Sequence, residues 1–311
     1  MSSDPGVQPR RLLHPRYWPS WCAVGLLSLG LLLPRPWRDA LAARVGDLQF
    51  RRNERRRAIV EFNLACCFPE WSAERRAAVA RDHFRVYARA MADQPISWWD
   101  RRGRWATRIT RLHGLERLHA ARAAGRPVIL LCPHTAAVDL AGLGLALNVP
   151  LASMANRLED PVLQWAVHQG RSRRAPVFLR EQGLRPVMRA LRNGRVFYYM
   201  PDEDLGPRNS VFVPFFGMEK ATLTTLGRLA RLSGAAVLPV MAWYEPGERR
   251  YQVELRAPLA DFPSGDDRAD AATMNRALEA SIRRAPAHYL WNQRLFRSRP
   301  DGSRMAYPKR G

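Results

Sequence analysis

The stretch Arg126-Pro127-Val128-Ile129-Leu130-Leu131-Cys132-Pro133-His134-Thr135-Ala136-Ala137-Val138-Asp139 decides how the chain is read. Val128 to Leu131 form an unbroken apolar run that opens after a proline and closes at Cys132-Pro133. Without polar alternation, such a run predicts a strand buried on both faces. The alanine- and leucine-rich continuation predicts a helix from about Ala136 to Leu147. Outward from there, short apolar runs at Leu151 to Met154, Val196 to Met200, Ala236 to Trp243 and Tyr251 to Leu255 alternate with helical stretches near 161–169, 184–193, 220–233 and 269–284. The alternation predicts an α/β layered fold, a mixed central sheet flanked by helices. Before it, the arginine- and alanine-rich segment from Arg51 to about Trp105 has helical spacing and reads as a helical lead-in.

In such folds chemistry collects where strands end and loops leave the core. Two segments stand at predicted strand exits: His134 and Pro201-Asp202-Glu203-Asp204. A histidine that takes a proton from an attacking hydroxyl needs a partner to orient its ring and stabilise the charged form. The spacing His134 to Asp139 supplies both residue types, with the carboxylate turning back to Nδ1 and Nε2 facing the substrate. The plain structural alternative is a histidine capping the helix and an aspartate exposed on its first turn. Cys132, two residues before His134, offers a second chemistry as a covalent nucleophile. The acidic turn reads either as oxygen ligands for a divalent metal or, more economically, as a substrate-binding turn built on Asp202 and Asp204.

The formal charge of +22 over 311 residues comes mainly from arginine spread along the chain, which calls for an anionic partner. Nucleic acid is the less suitable one, because neither helix-turn-helix punctuation nor an aromatic-basic repeat is present. Cys22, Cys66, Cys67 and Cys132 lack C-x-x-C spacing, so neither a zinc site nor a disulfide framework is expected. The neighbouring Cys66 and Cys67 read as buried packing residues. At the N-terminus, arginines including Arg10, Arg11 and Arg16 precede an apolar run from Trp18 to Leu33, closed by Pro34-Arg35-Pro36-Trp37-Arg38. The run is roughly 16 residues long, against about 20 for a helix that crosses the hydrocarbon core. Flanking tryptophans and arginines suit an interfacial seat. The expectation is an uncleaved membrane-anchoring helix, giving an anchor over 1–45 and a globular domain over 46–311.

Larger blocks of sequence are more specific. His14-Pro15-Arg16-Tyr17-Trp18-Pro19, Asn63-Leu64, Cys67-Phe68-Pro69-Glu70, His134 to Asp139, Pro201 to Asp204, Val211-Phe212-Val213-Pro214-Phe215-Phe216-Gly217, Ala221-Thr222, Leu238-Pro239-Val240, Tyr289, Trp291, Arg294 and Arg299-Pro300-Asp301-Gly302 occur in order. In these the chain resembles the late acyltransferases of lipid A biosynthesis, within the wider lysophospholipid acyltransferase superfamily. The resemblance implies an acyl carrier protein thioester as donor and the hydroxyl of a 3-hydroxyacyl chain on a lipid A precursor as acceptor. It also implies work at the cytoplasmic face of a bacterial inner membrane. His134 then matches the catalytic base and Asp139 its carboxylate partner, where many members carry glutamate. Arg171 falls where the family has a basic residue proposed to assist the thioester oxyanion or a substrate phosphate, with Arg157 and Arg173 as further substrate-binding candidates. The 211–217 segment would wall the acyl chain. No cofactor or metal is expected, since a thioester is already activated.

Overall fold

The computed structural model describes residues 12–308; Arg10 and Arg11 of the basic N-terminal flank lie outside them. A seven-stranded sheet runs in the order β1-β9-β8-β2-β5-β3-β4. Its members are β1 (Thr110–His113), β2 (Val128–Leu131), β3 (Leu151–Ala155), β4 (Val177–Leu179), β5 (Val196–Tyr199), β8 (Ala236–Glu245) and β9 (Arg250–Leu255). All pairings in it are parallel except the antiparallel β8–β9 contact, so the sheet is mixed, as predicted.

The reading of Val128 to Leu131 follows from position: β2 lies between β5 and β8, and each of its residues is buried. Period-two alternation then distributes the core. Ile129, Leu131, Phe197 and Tyr199 pack into one apolar layer, whereas Val128, Leu130, Val196 and Tyr198 pack into the layer across the sheet. Helices α7 (Val138–Ala146), α8 (Pro161–Ser172), α9 (Arg185–Arg192), α10 (Thr225–Ser233) and α11 (Asp267–Arg284) cover these faces. Local chemistry sets their starts. Asp160 accepts from the backbone N–H groups of Val162 and Leu163 ahead of α8, and Asp266 from that of Ala269 ahead of α11.

The helical lead-in is present as α3 (Glu54–Cys67), α4 (Ala73–Trp99) and α5 (Arg104–Ile109), followed by α6 (Leu115–Ala123). Helix α4 reaches both apolar layers, placing Phe84 in one and Ile96 in the other.

Two expectations need correction, the helix from 220 and the acyl-chain wall over 211–217. The segment expected to be helical from 220 instead opens with β7 (Met218–Leu223), paired antiparallel with β6 (Ser210–Phe215). This hairpin contains the 211–217 segment, and Phe215 and Phe216 are buried against Phe68, Trp291 and Phe296. These aromatics serve the core. The apolar N-terminal run yields α1 (Trp18–Gly30), which stops short of Leu33. Among the described residues no helix is long and apolar enough to cross a membrane.

Helix α2 (Arg35–Arg52) continues through residue 45 and lies along α4. The approach requires glycine at 46: a Cβ there would sit 2.5 Å from the Cα of Arg85. Gly46→Leu should destabilise the protein by about 1–3 kcal/mol through backbone displacement, visible as a lower midpoint of thermal unfolding. An unchanged midpoint would mean that α2 is not packed this closely.

Candidate active site

His134 follows β2, and the 134–137 segment is not yet helical, since α7 begins at Val138. The loop is held from the far end of the chain. Leu290 N–H donates to the His134 carbonyl at 2.9 Å, Ala136 N–H donates to the His288 carbonyl at 2.9 Å, and Thr135 bridges to Tyr289. The next strand in the sheet is β5, so its exit loop brings Asp202 to the same place. One Asp202 oxygen lies 2.5 Å from His134 Nδ1, and the other accepts the His134 backbone N–H at 2.9 Å. A single fully buried carboxylate therefore fixes both the main chain and the ring of His134.

This corrects the pairing expected from sequence. Because the helix starts only at Val138, Asp139 projects away from His134 toward α8 and α4. Its carboxylate accepts from Arg171 Nε at 2.6 Å and from Gln94 Nε2 at 2.7 Å. Asp202, read as a substrate-binding residue, is the histidine's partner. Strand exits made both segments visible in sequence. The adjacency of β2 and β5, separated by more than one crossover, was not. Gln94 carried no sequence signal at all.

The remaining candidates disperse. Asp204 accepts from Gly206 N–H and from the N–H and hydroxyl of Ser298, tying down the 298 segment. Arg173 donates to the Trp98 carbonyl. Arg157 lies 4.0 Å from Glu181. The carboxylates of 202–204 have separate partners, Glu203 taking Arg180 at 3.2 Å. Among the described residues no group of His, Cys, Asp or Glu is arranged to hold a metal ion.

A small polar cavity is lined by His134, Asn156, Arg180 and Glu203, with Met154 and Met200 on its inner side. Those two methionines also line a second, mostly apolar chamber bounded by Val138, Gly142, Leu143 and Leu151, with the Asp139–Arg171 pair on its wall. The polar mouth and the apolar chamber are thus neighbours.

Charge is arranged to suit proton transfer. Burial disfavours protonated His134, but the carboxylate of Asp202 outweighs it and raises the imidazole above its ordinary value. Burial likewise works against ionised Asp202, yet His134 and the more distant buried Lys220 hold it below the usual carboxylate range. Cys132 is different. Its burial pushes the thiol up to about 12, and its sulfur accepts from the Tyr198 hydroxyl. At neutral pH it stays a thiol, a poor nucleophile.

The chain is similar to known proteins along most of its length. The family described as Bacterial lipid A biosynthesis acyltransferase matches residues 7–298. The lipid A biosynthesis lauroyltransferase of Escherichia coli K12 is 34% identical over 300 residues, covering 95% of this chain and 97% of its own. The palmitoleoyltransferase of the same pathway and organism is 32% identical, covering 96% of this chain and 97% of its own. The corresponding myristoyltransferase is also 32% identical, covering 96% and 92%.

Replacing Asp202 with asparagine removes the largest raising influence and leaves burial, so the His134 imidazole should titrate lower in Asp202→Asn than in the wild type. NMR titration of the ring reads this. The same pairing stabilises the fold most below the unfolded histidine pKa, a contribution lost as pH rises through the higher folded value. Equal titration in both proteins would remove Asp202 as the partner.

Proposed function

The chain belongs to the bacterial lipid A biosynthesis acyltransferase family and is an acyltransferase, and on that premise we propose that it moves a fatty acyl group from an acyl carrier protein thioester to the hydroxyl of a 3-hydroxyacyl chain on a lipid A precursor. The observation that carries the reading is the His134–Asp202 pair facing a polar cavity that adjoins an apolar chamber.

With Nδ1 held by Asp202, Nε2 of His134 is the ring nitrogen left for substrate. It takes the acceptor's hydroxyl proton as that oxygen attacks the thioester carbonyl carbon. A C–O bond forms, and the carbonyl π electrons move to oxygen. Collapse of the tetrahedral adduct breaks the C–S bond, and the imidazolium returns the proton to the departing thiolate. Asp202 stabilises the imidazolium throughout. Arg180, at the same cavity, is the cation we assign to the developing oxyanion. The Asp139–Arg171 pair then has a positioning role, fixing the wall of the chamber that receives the acyl chain. Transfer is direct, with no acyl-cysteine at Cys132.

We place this chemistry at the cytoplasmic face of the inner membrane. Leu26, Leu29 and Leu33 in and after α1 are exposed, as are Trp37, Leu41, Val45 and Leu48 along α2. Their spacing makes an apolar stripe at helical period, which supports a chain lying in the interface by its N-terminal helices. Its excess of arginine suits an anionic membrane, a phosphorylated acceptor and an acidic carrier alike.

The test is transfer from a panel of acyl carrier protein thioesters to a tetra-acylated lipid A precursor, with products read by mass. A product heavier by one acyl chain should form with the wild type and fall by about 10²–10⁴-fold in His134→Ala, while Cys132→Ala retains most turnover. No product with any donor would sink the assignment of substrates. A Cys132→Ala loss as deep as that of His134→Ala would sink direct transfer.

Chain selection is a separate expectation. A side chain at Gly142 enters the apolar chamber, where its Cβ would lie 3.5 Å from the Tyr198 ring. Gly142→Leu should lower kcat/KM for the longest accepted donor by at least about tenfold relative to a shorter one. An unchanged ratio would place the acyl chain elsewhere.

A further inference from the structure

A second polar centre lies one residue along α4 from the Gln94–Asp139 contact. Asp93, only 1% exposed, receives Arg35 at 3.4 Å, Arg38 at 3.1 Å and the Tyr251 hydroxyl at 2.9 Å. Two guanidinium groups on one carboxylate leave an uncompensated positive charge out of water. The Arg38 side chain is 10% exposed. Nε of Arg38 and both Nε and Nη1 of Arg35 are buried without a hydrogen-bond partner. Asp93 Oδ1 lacks a hydrogen bond as well, but donors outnumber acceptors in the cluster, and buried N–H groups are paired almost everywhere in folded proteins, so the surplus calls for an acceptor.

These arginines line a cavity of about 450 Å³ together with Arg108, Arg249, Arg250 and Glu248. The carboxylate of Glu248 is already engaged by Arg111 at 3.3 Å and Gln252 at 2.9 Å, and Arg249 is 3.6 Å from Asp39. The balance of the cavity is strongly cationic. It also meets the start of α2, whose first turn has no acidic residue and whose cap, Pro34, provides no side-chain hydrogen bond. The positive end of the helix dipole is thus left to an outside anion. The lining also has an apolar part, Leu31, Ile96, Ile109 and Trp105, and Trp105 is 43% exposed.

We propose that this cavity binds the phosphate group of an anionic membrane phospholipid, with the acyl tails of that lipid leaving past Leu31 and the exposed Trp105. Guanidinium forks match phosphate oxygens in pairs, and a free anion would have no use for the apolar margin. The lipid is distinct from the substrates, because this cavity shares no lining residue with the one at His134 or with the apolar chamber. The inference rests on the interfacial seat proposed above for α1 and α2, and on no part of the reaction.

The experiment uses the full chain in neutral detergent micelles with no acyl donor or acceptor present, titrated with phosphatidylglycerol or phosphatidylcholine and read by native mass spectrometry. The wild type should retain one phosphatidylglycerol and not phosphatidylcholine. Arg35→Gln should bind it about tenfold more weakly. The exposed pair Arg108→Gln/Arg250→Gln, which leaves the buried cluster intact, should show a similar loss. A control of equal charge change, Arg55→Gln/Arg56→Gln, should bind as the wild type does. Equal weakening in the control would reduce the effect to diffuse electrostatics and overturn the site. Displacement of the lipid by an equal concentration of inorganic phosphate would overturn the lipid in favour of a simple anion. Failure here would leave the acyl-transfer result untouched, since nothing in this measurement turns over.

Discussion

Asp202 is the constraint around which the site is built. Its two oxygens bind different parts of one residue, the main-chain N–H and the ring of His134. A bidentate arrangement of this kind selects the tautomer and the ring orientation at once, because rotation of the imidazole would break one contact while the backbone contact kept the carboxylate in place. The interaction is made in a buried setting, where electrostatic attraction is stronger than in water and an unpaired carboxylate would be costly. Each partner therefore requires the other. The loop carrying His134 is tied again to residues 288–290, so a side chain that begins at the end of a short strand has little freedom left by the time the last part of the chain has docked.

Much of the sheet was legible in the residues. A four-residue apolar run buried on both faces can hardly be anything but a central strand, and the runs at 151, 196, 236 and 251 followed the same logic. What misled was chemistry shared between states. Val211 to Gly217 is apolar, aromatic and punctuated by Pro214 and Gly217, which fits a loop or a hairpin equally; the pairing of Val213 with Lys220 is a property of two segments and cannot be read from one. Strands β1 and β4 are short and half-buried, so their composition carries almost no periodic signal.

The site was legible in part for a similar reason. His134 announces itself by following a buried strand. Its partner does not, because sequence spacing favours the nearest carboxylate, Asp139, whereas the fold presents the one from the neighbouring strand's exit. Whether residues five apart meet depends on where the helix begins, and the three non-helical residues between His134 and Val138 are enough to turn Asp139 toward Arg171. The length of the N-terminal apolar run was a sounder guide: it fell short of a span, and α1 is shorter still.

Asp93 and Gln94, consecutive along helix α4, serve different centres. One residue later comes Pro95, inside the helix and without an N–H to give to the preceding turn. The final turn, which contributes Ser97 to the wall of the apolar chamber, is joined to the body of the helix by one backbone bond fewer than any other turn of its interior. The missing bond is the one from residue 95 back to the Met91 carbonyl, so it falls across the turn that holds both Asp93 and Gln94. A shift of that turn would therefore be felt at the arginine cluster and at the chamber wall together.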